Sequence, residues 1–152
     1  MPMAGCNLEI DELTKEALDE VLALWHGTEG IGLSEGDTKD DLVAFLARNP
    51  GLSLVARHSG RIVGAVLYGH DGRRGFLYHL AIAAPHRRKE IGRALVEICL
   101  GKLALLGVRK CNIVLYRNNE IGERFWSRNG WRERTDLKIL QKTTPSPSPL
   151  DK

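Results

Sequence analysis

Apolar residues recur along this chain in two rhythms, every second position in some stretches and every third or fourth in others. Asn7 to Ile10 alternates polar and apolar and predicts an opening strand. Lys15 to Trp25 follows as a helix, with Leu18, Val21, Leu22 and Trp25 on one stripe. Thr38, with Asp41 three residues on, makes an approximate capping box for a helix through Arg48, which Asn49-Pro50-Gly51 ends. Leu52 to Arg57 and Arg61 to Tyr68 are two strands joined by His58-Ser59-Gly60, a tight hairpin signal. The apolar and aromatic run Phe76 to Ile82 starts after Gly75 and stops before Pro85, which predicts another strand. Ile91, Leu95, Ile98, Cys99, Lys102 and Leu106 then fall on one helical face, and Gly107 sits where a left-handed residue ends a helix. Cys111 to Tyr116 predicts a strand and Ile121 to Arg128 a short helix stopped by Asn129-Gly130. Trp131 to Arg134 and Leu137 to Leu140 predict a closing pair of strands.

The resulting order, β-α-α-β-β-β-α-β-α-β-β, predicts an α/β chain of the mixed α+β kind, a central mixed sheet flanked by helices. Residues 1–142 form one domain in this reading, and 152 residues are enough to bury a proper core. Residues 143–152 carry Pro145, Pro147 and Pro149 between serines with little apolar payload, which predicts a disordered tail. No internal repeat is found.

Composition narrows the function classes. An apolar content of 43% and a charged content of 27% are ordinary for a soluble globular protein. A net charge of +3 is too small to argue for nucleic acid. No apolar run approaches membrane-spanning length. Met3-Ala4-Gly5-Cys6 lacks the hydrophobic segment of an export signal. Cys6, Cys99 and Cys111 show no C-x-x-C spacing and cannot all pair, which predicts free thiols in a reducing cytoplasm. Cys99 and Cys111 lie in apolar runs and are not placed as nucleophiles.

Candidate chemistry concentrates in His86-Arg87-Arg88-Lys89-Glu90-Ile91-Gly92, between the Phe76–Ile82 strand and the following helix. A helix start offers unpaired N–H groups and a partial positive charge, and three cations crowd around this one. Such a start ordinarily prefers acids, so the arrangement is unfavourable until an anion arrives, and phosphate is the usual one. The glycine-rich stretch Gly27 to Gly36 suits a mobile surface loop.

These residues resemble the GNAT superfamily of acyl-CoA-dependent N-acetyltransferases, in particular its small stand-alone bacterial members. The family loop, (Arg/Gln)-x-x-Gly-x-(Gly/Ala), aligns with Arg87-Arg88-Lys89-Glu90-Ile91-Gly92, with Glu90 standing where glycine is usual. A second family block, Asn-x-x-Ala-x-x-(Phe/Leu)-Tyr-x-x-x-Gly-Phe, aligns with Asn119 to Trp131, with Trp126 in place of its tyrosine. The resemblance covers roughly residues 7 to 141 and implies a sheet of about six or seven strands with about four helices.

It further implies acetyl-CoA as co-substrate, a primary amine as acceptor, direct attack in a ternary complex, and for Gly27 to Gly36 the alternative of a recognition loop on the substrate side. The coenzyme-binding set it implies is Leu80, Ala81, Ile82, Arg87, Arg88, Lys89, Glu90, Ile91, Gly92, Arg93, Ala94, Asn119 and Trp126. Within it, amides from about Arg88 to Ala94 hold the pyrophosphate, and backbone groups of Leu80 and Ile82 take the pantetheine arm. Glu90 repels phosphate unless it points to solvent or pairs with Arg93 or Arg87. Asn119 contacts the arm and also suits a helix N-cap.

The position matching the family's general-base glutamate holds Phe76. Candidate bases are therefore Tyr78, placed by alternation on the face of Leu80 and Ile82, His79 on the other face, and more weakly Glu35. Trp126 donates a hydrogen bond but no proton, and Tyr116 is the alternative acid for the departing thiolate. No metal, nucleic acid or membrane is expected, and the chain is a monomer or a homodimer. A non-enzymatic acyl-CoA sensor is the rival reading.

Overall fold

A computed structural model describes residues 7–87 and 90–147. Strand β1, Leu8–Glu12, leads through a single 3-10 turn at Lys15–Ala17 into helix α1, Leu18–His26, and then helix α2, Lys39–Arg48. Thr38 and Asp41 close the capping box: Thr38 Oγ1 accepts from the Asp41 amide at 3.1 Å while the Asp41 carboxylate takes the Thr38 amide at 3.4 Å. Strands β2, Leu54–His58, and β3, Arg61–His70, form the expected hairpin, turned by Ser59 and Gly60 at φ 51° and 84°. Two successive left-handed residues match the right-handed twist of the flanking strands. Strand β4, Arg74–Ile82, helix α3, Ile91–Leu105, strand β5, Lys110–Ile113, and helix α4, Glu120–Arg128, complete the described elements.

The strands lie in sequence order, β1-β2-β3-β4-β5, antiparallel except for the parallel β4–β5 pair. A parallel neighbour needs a crossover, and α3 supplies it. One apolar cluster joins Ile91, Leu95, Val96, Cys99 and Leu103 of α3 and Trp126 of α4 to Leu54, Val66, Tyr68 and Leu77 of the sheet. The other face packs Leu18, Val21 and Trp25 of α1 and Leu42 of α2 on Val55, Ala65, Leu67 and Ala81. The sheet is thus a sandwich filling, with α1 and α2 on one side and α3 and α4 on the other.

Four expectations need correction. The described residues hold five strands, fewer than six or seven. Trp131–Arg134 and Leu137–Leu140 are irregular, linked by a turn in which Arg134 pairs with Asp136 at 2.8 Å. Leu137, Ile139 and Leu140 stay exposed, the last at 91%, and an isolated two-stranded ribbon with no face to bury is marginal at best. Strand β5 ends at Ile113, short of Tyr116. The α3 stripe turns toward Leu103, while Leu106 is exposed and Lys102 reaches out to the Gly51 carbonyl at 3.1 Å. Gly107 does take the left-handed conformation, at φ 83°. Of the suggested tail, 148–152 lie outside the described residues.

Candidate active site

The site follows from where β4 stops pairing. Arg74 to Leu77 match Lys110 to Ile113, and there β5 ends, while β4 continues to Ile82. Over Tyr78 to Ile82 the β5-side edge of β4 therefore has no strand beside it, and its backbone donors and acceptors face a cleft. The cleft holds about 1580 Å³ and runs from the start of α3 to the β5–α4 connection.

A bulge organises β4 at this point. The register steps from Leu67↔His79 to Tyr68↔Leu77, so Tyr78 is an extra residue opposite β3. The extra residue breaks the alternation, and Tyr78 does not share the face of Leu80 and Ile82. Those two pack toward the α3 cluster, whereas the Tyr78 ring meets Phe45 of α2 at 5.6 Å and stacks on Phe76 at 6.0 Å. His79 lies on that same side, with its ring 5.0 Å from Trp25 of α1. Burial, then the charges of Asp71 and Cys111, push the Tyr78 phenol above its usual value, so it stays protonated at neutral pH.

At the start of α3 the first intrahelical bond runs from the Ala94 amide to the Glu90 carbonyl at 3.0 Å. The amides of Ile91, Gly92 and Arg93 have no partner within the helix, and the first turn carries no acid. Glu90 is the cap residue and sits at φ 64°, ψ 12° with no capping bond from its side chain. The fourth motif position thus demands a left-handed backbone, which is why glycine suits it and why glutamate is strained there. Its carboxylate is solvent-exposed at the rim of the cleft and lies 3.7 Å from Arg93, which also pairs with Glu97 at 3.0 Å. Arg87 is exposed but folds back, its Nε donating to the Ile82 carbonyl at 2.9 Å, and so braces the loop against the end of β4. Arg88 and Lys89 lie outside the described residues.

The far wall comes from α4 and its approach. Asn119 caps α4, its Oδ1 accepting from the Gly122 amide at 2.9 Å. Phe125 lies against Gly92, where an added Cβ would come within 3.3 Å of its ring. Trp126 is 8% exposed, between Phe125 at 5.0 Å and Trp131 at 4.9 Å, with an edge on the cleft. Tyr116 is not among the lining residues. Its hydroxyl lies against Gly32, where a Cβ would collide with it.

The glycine-rich loop is built in rather than loose. Gly27 to Ile31 line the cleft, Ile31 and Leu33 pack on the α1–α2 cluster, and Gly30 backs onto Asn119. Glu35 is exposed and not among the lining residues. Asp37 is the loop residue that the sequence reading missed: its Oδ1 lies 3.0 Å from His79 Nε2. A signal was present in Ser34-x-x-Asp37, which repeats the spacing of Thr38-x-x-Asp41 and makes the same kind of turn.

Comparison with known proteins accords with this geometry. The model of the Acetyltransferase (GNAT) family matches residues 16–131. An acetyltransferase of Yersinia pestis (strain Pestoides F) is 32% identical over 113 residues, covering 74% of this chain and 79% of that protein. The PaiA N-acetyltransferase of Thermoplasma acidophilum, solved in complex with coenzyme A, superposes with a TM-score of 0.72 at 21% identity. That match covers 82% of this chain and 89% of the other. An aminoglycoside antibiotic 6′-N-acetyltransferase from Acinetobacter haemolyticus gives 0.73 at 16% identity, covering 90% and 99%.

Proposed function

Because the chain belongs to the acetyltransferase (GNAT) family, we propose that it transfers an acetyl group from acetyl-CoA to a primary amine by direct attack in a ternary complex. One observation carries the reading: a helix start with free amides and a strand edge with free backbone groups line the same cleft. The coenzyme fits those donors. The amides of Ile91, Gly92 and Arg93 hold the pyrophosphate, with Arg87, Arg88 and Lys89 adding charge. The pantetheine arm lies along Leu80, Ala81 and Ile82 in place of the missing strand, and Asn119 meets it from the other wall. The Leu80 amide, on the stretch of β4 that β5 leaves unpaired, is the donor for the acetyl oxygen as it gains charge.

Proton traffic is simple in this site. The acceptor ammonium gives its proton to water before its nitrogen attacks the thioester carbon, because Tyr78 stays a neutral phenol and His79 is not among the residues that line the cleft. The attacking nitrogen of the tetrahedral intermediate loses its second proton to water, and the intermediate collapses to the amide and expels the coenzyme thiolate, a tolerable leaving group whose conjugate acid has a pKa near ~8.5. Trp126 walls the sulfur and offers it at most a hydrogen bond. The enzyme works in the cytoplasm, as a monomer or homodimer, on a small-molecule or protein amine.

The test combines calorimetry with coenzyme A and thioester consumption across an amine panel. Binding with turnover of at least one amine is expected. Binding without any turnover favours an acyl-CoA sensor, and no binding ends the reading.

A further inference from the structure

The loop between α1 and α2 reaches the sheet through one polar pair, and the pair is sheltered. Asp37 and His79 are 42 residues apart, their side chains are only 15% and 12% exposed, and Oδ1 to Nε2 is 3.0 Å. The second carboxylate oxygen accepts from the Ser34 amide at 3.0 Å, while the Asp37 amide donates to the Ser34 carbonyl at 3.0 Å. Asp37 is therefore a hub, with one oxygen holding the loop's own turn and the other holding the turn to β4. The His79 ring stands edge-on to Trp25, which is fully buried and whose indole Nε1 makes no hydrogen bond. The packing leaves His79 little freedom, so its position is dictated by α1 and passed on to the loop.

At its other end the loop touches the β5–α4 connection without a polar tie. Gly32 backs onto the Tyr116 hydroxyl and Gly30 onto the Asn119 amide group, contacts so close that an added Cβ would displace those side-chain ends. The loop so spans the gap where β4 and β5 part, from the side opposite the α3 amides.

We propose that Asp37, acting through His79, is a positioning residue that straps the glycine-rich loop across this gap and so forms the wall against which the acceptor amine is held. The proposal rests on the acyl-transfer reading of the cleft. His79 is adjacent to Leu80, so the strap sets the acceptor wall one residue from the backbone that holds the acetyl group. Coenzyme binds from the α3 side and does not depend on the strap.

Two measurements on the full chain test it. In initial-rate kinetics with both substrates varied, Asp37→Ala and His79→Ala each raise the acceptor KM about tenfold, the scale of one sheltered charge-assisted bond. The acetyl-CoA KM stays within about twofold, and the double variant is no worse than the worse single one. His79→Gln, whose amide reaches the same donor position, recovers most of the loss. Amide exchange across residues 28–36 of the free protein speeds up in both alanine variants. Additive effects, a parallel rise in the acetyl-CoA KM, unchanged exchange, or faster exchange with an unchanged acceptor KM each overturn the proposal. If no amine is turned over at all, the transfer reading fails, while exchange still reports whether the pair holds the loop.

Discussion

Replacing Glu90 by glycine separates two ways of understanding the off-motif residue in the loop before α3. Glu90 sits at φ 64°, in a conformation that costs an L-residue about 1–2 kcal/mol. Glycine removes that strain but adds about 0.5–1 kcal/mol of unfolded-chain entropy to be lost on folding. The side chain contributes little in the folded state, since it makes no capping bond and its 3.7 Å contact with Arg93 is exposed. Arg93 keeps its shorter pair with Glu97 in any case. The difference is a net gain of about 0.5–1 kcal/mol for Glu90→Gly, which raises Tm by about 1–4 °C in a chain of this size. Glu90→Gln retains the strain and loses only the charge, so its Tm stays within about 1 °C. Both variants bind coenzyme A more tightly at low ionic strength, because a negative charge has left the rim of an anion site. Differential scanning calorimetry with and without coenzyme A reads all of this. A fall in Tm for Glu90→Gly, or an equal rise for Glu90→Gln, would refute the backbone argument.

Trp126→Tyr tests whether the leaving thiolate needs an acid: kcat changes less than about threefold, measured by thioester consumption, and a gain approaching the ~10²–10⁴ of acid catalysis contradicts the mechanism. Alkaline pH tests the buried thiols. Burial pushes the Cys111 thiol up to about 11, against the lowering pull of backbone hydrogen bonds at Leu77 and Asn112, and raises Cys99 as well. The folded state then holds these protons more tightly than the unfolded chain does. Stability is full below the unfolded thiol value of ~8.5 and is lost as pH rises through the folded values. The urea midpoint should therefore fall between about pH 9 and 11, and fall less steeply in Cys111→Ser; a flat profile in that window contradicts the burial argument.

What was legible in the sequence divides by range. The Thr38–Asp41 box, the Ser59-Gly60 turn, the Asn119 cap and the Gly107 stop each depend on residues within four positions, and each forms as the pattern implies. The closing strands failed for a reason that local pattern cannot contain. Leu137 to Leu140 has strand-like residues, but a strand also needs a partner and a face to bury, and these side chains stay exposed and pair with none of the five described strands. The catalytic face failed similarly. Alternation assigned Tyr78 to the side of Leu80, and one inserted residue opposite β3 moved its ring to the side of α2, where Phe45 meets it.

Glu90 shows the limit from the other direction. As a letter it is a carboxylate beside a phosphate loop, and charge is the natural worry. In the fold its carboxylate is exposed to solvent at the rim and its backbone occupies the left-handed region, so the departure from glycine brings backbone strain as well as charge. The same logic explains why Asp37 escaped notice while Glu35 did not. Glu35, two residues earlier, is the larger acid and looks the freer base, yet it is exposed, while the Ser34-x-x-Asp37 turn aims Asp37 inward at His79. A carboxylate tied to its own turn is a poor proton carrier and a good strut. In the proposed reaction the demands fall on backbone amides and on water, and Asp37 holds a wall in place through His79.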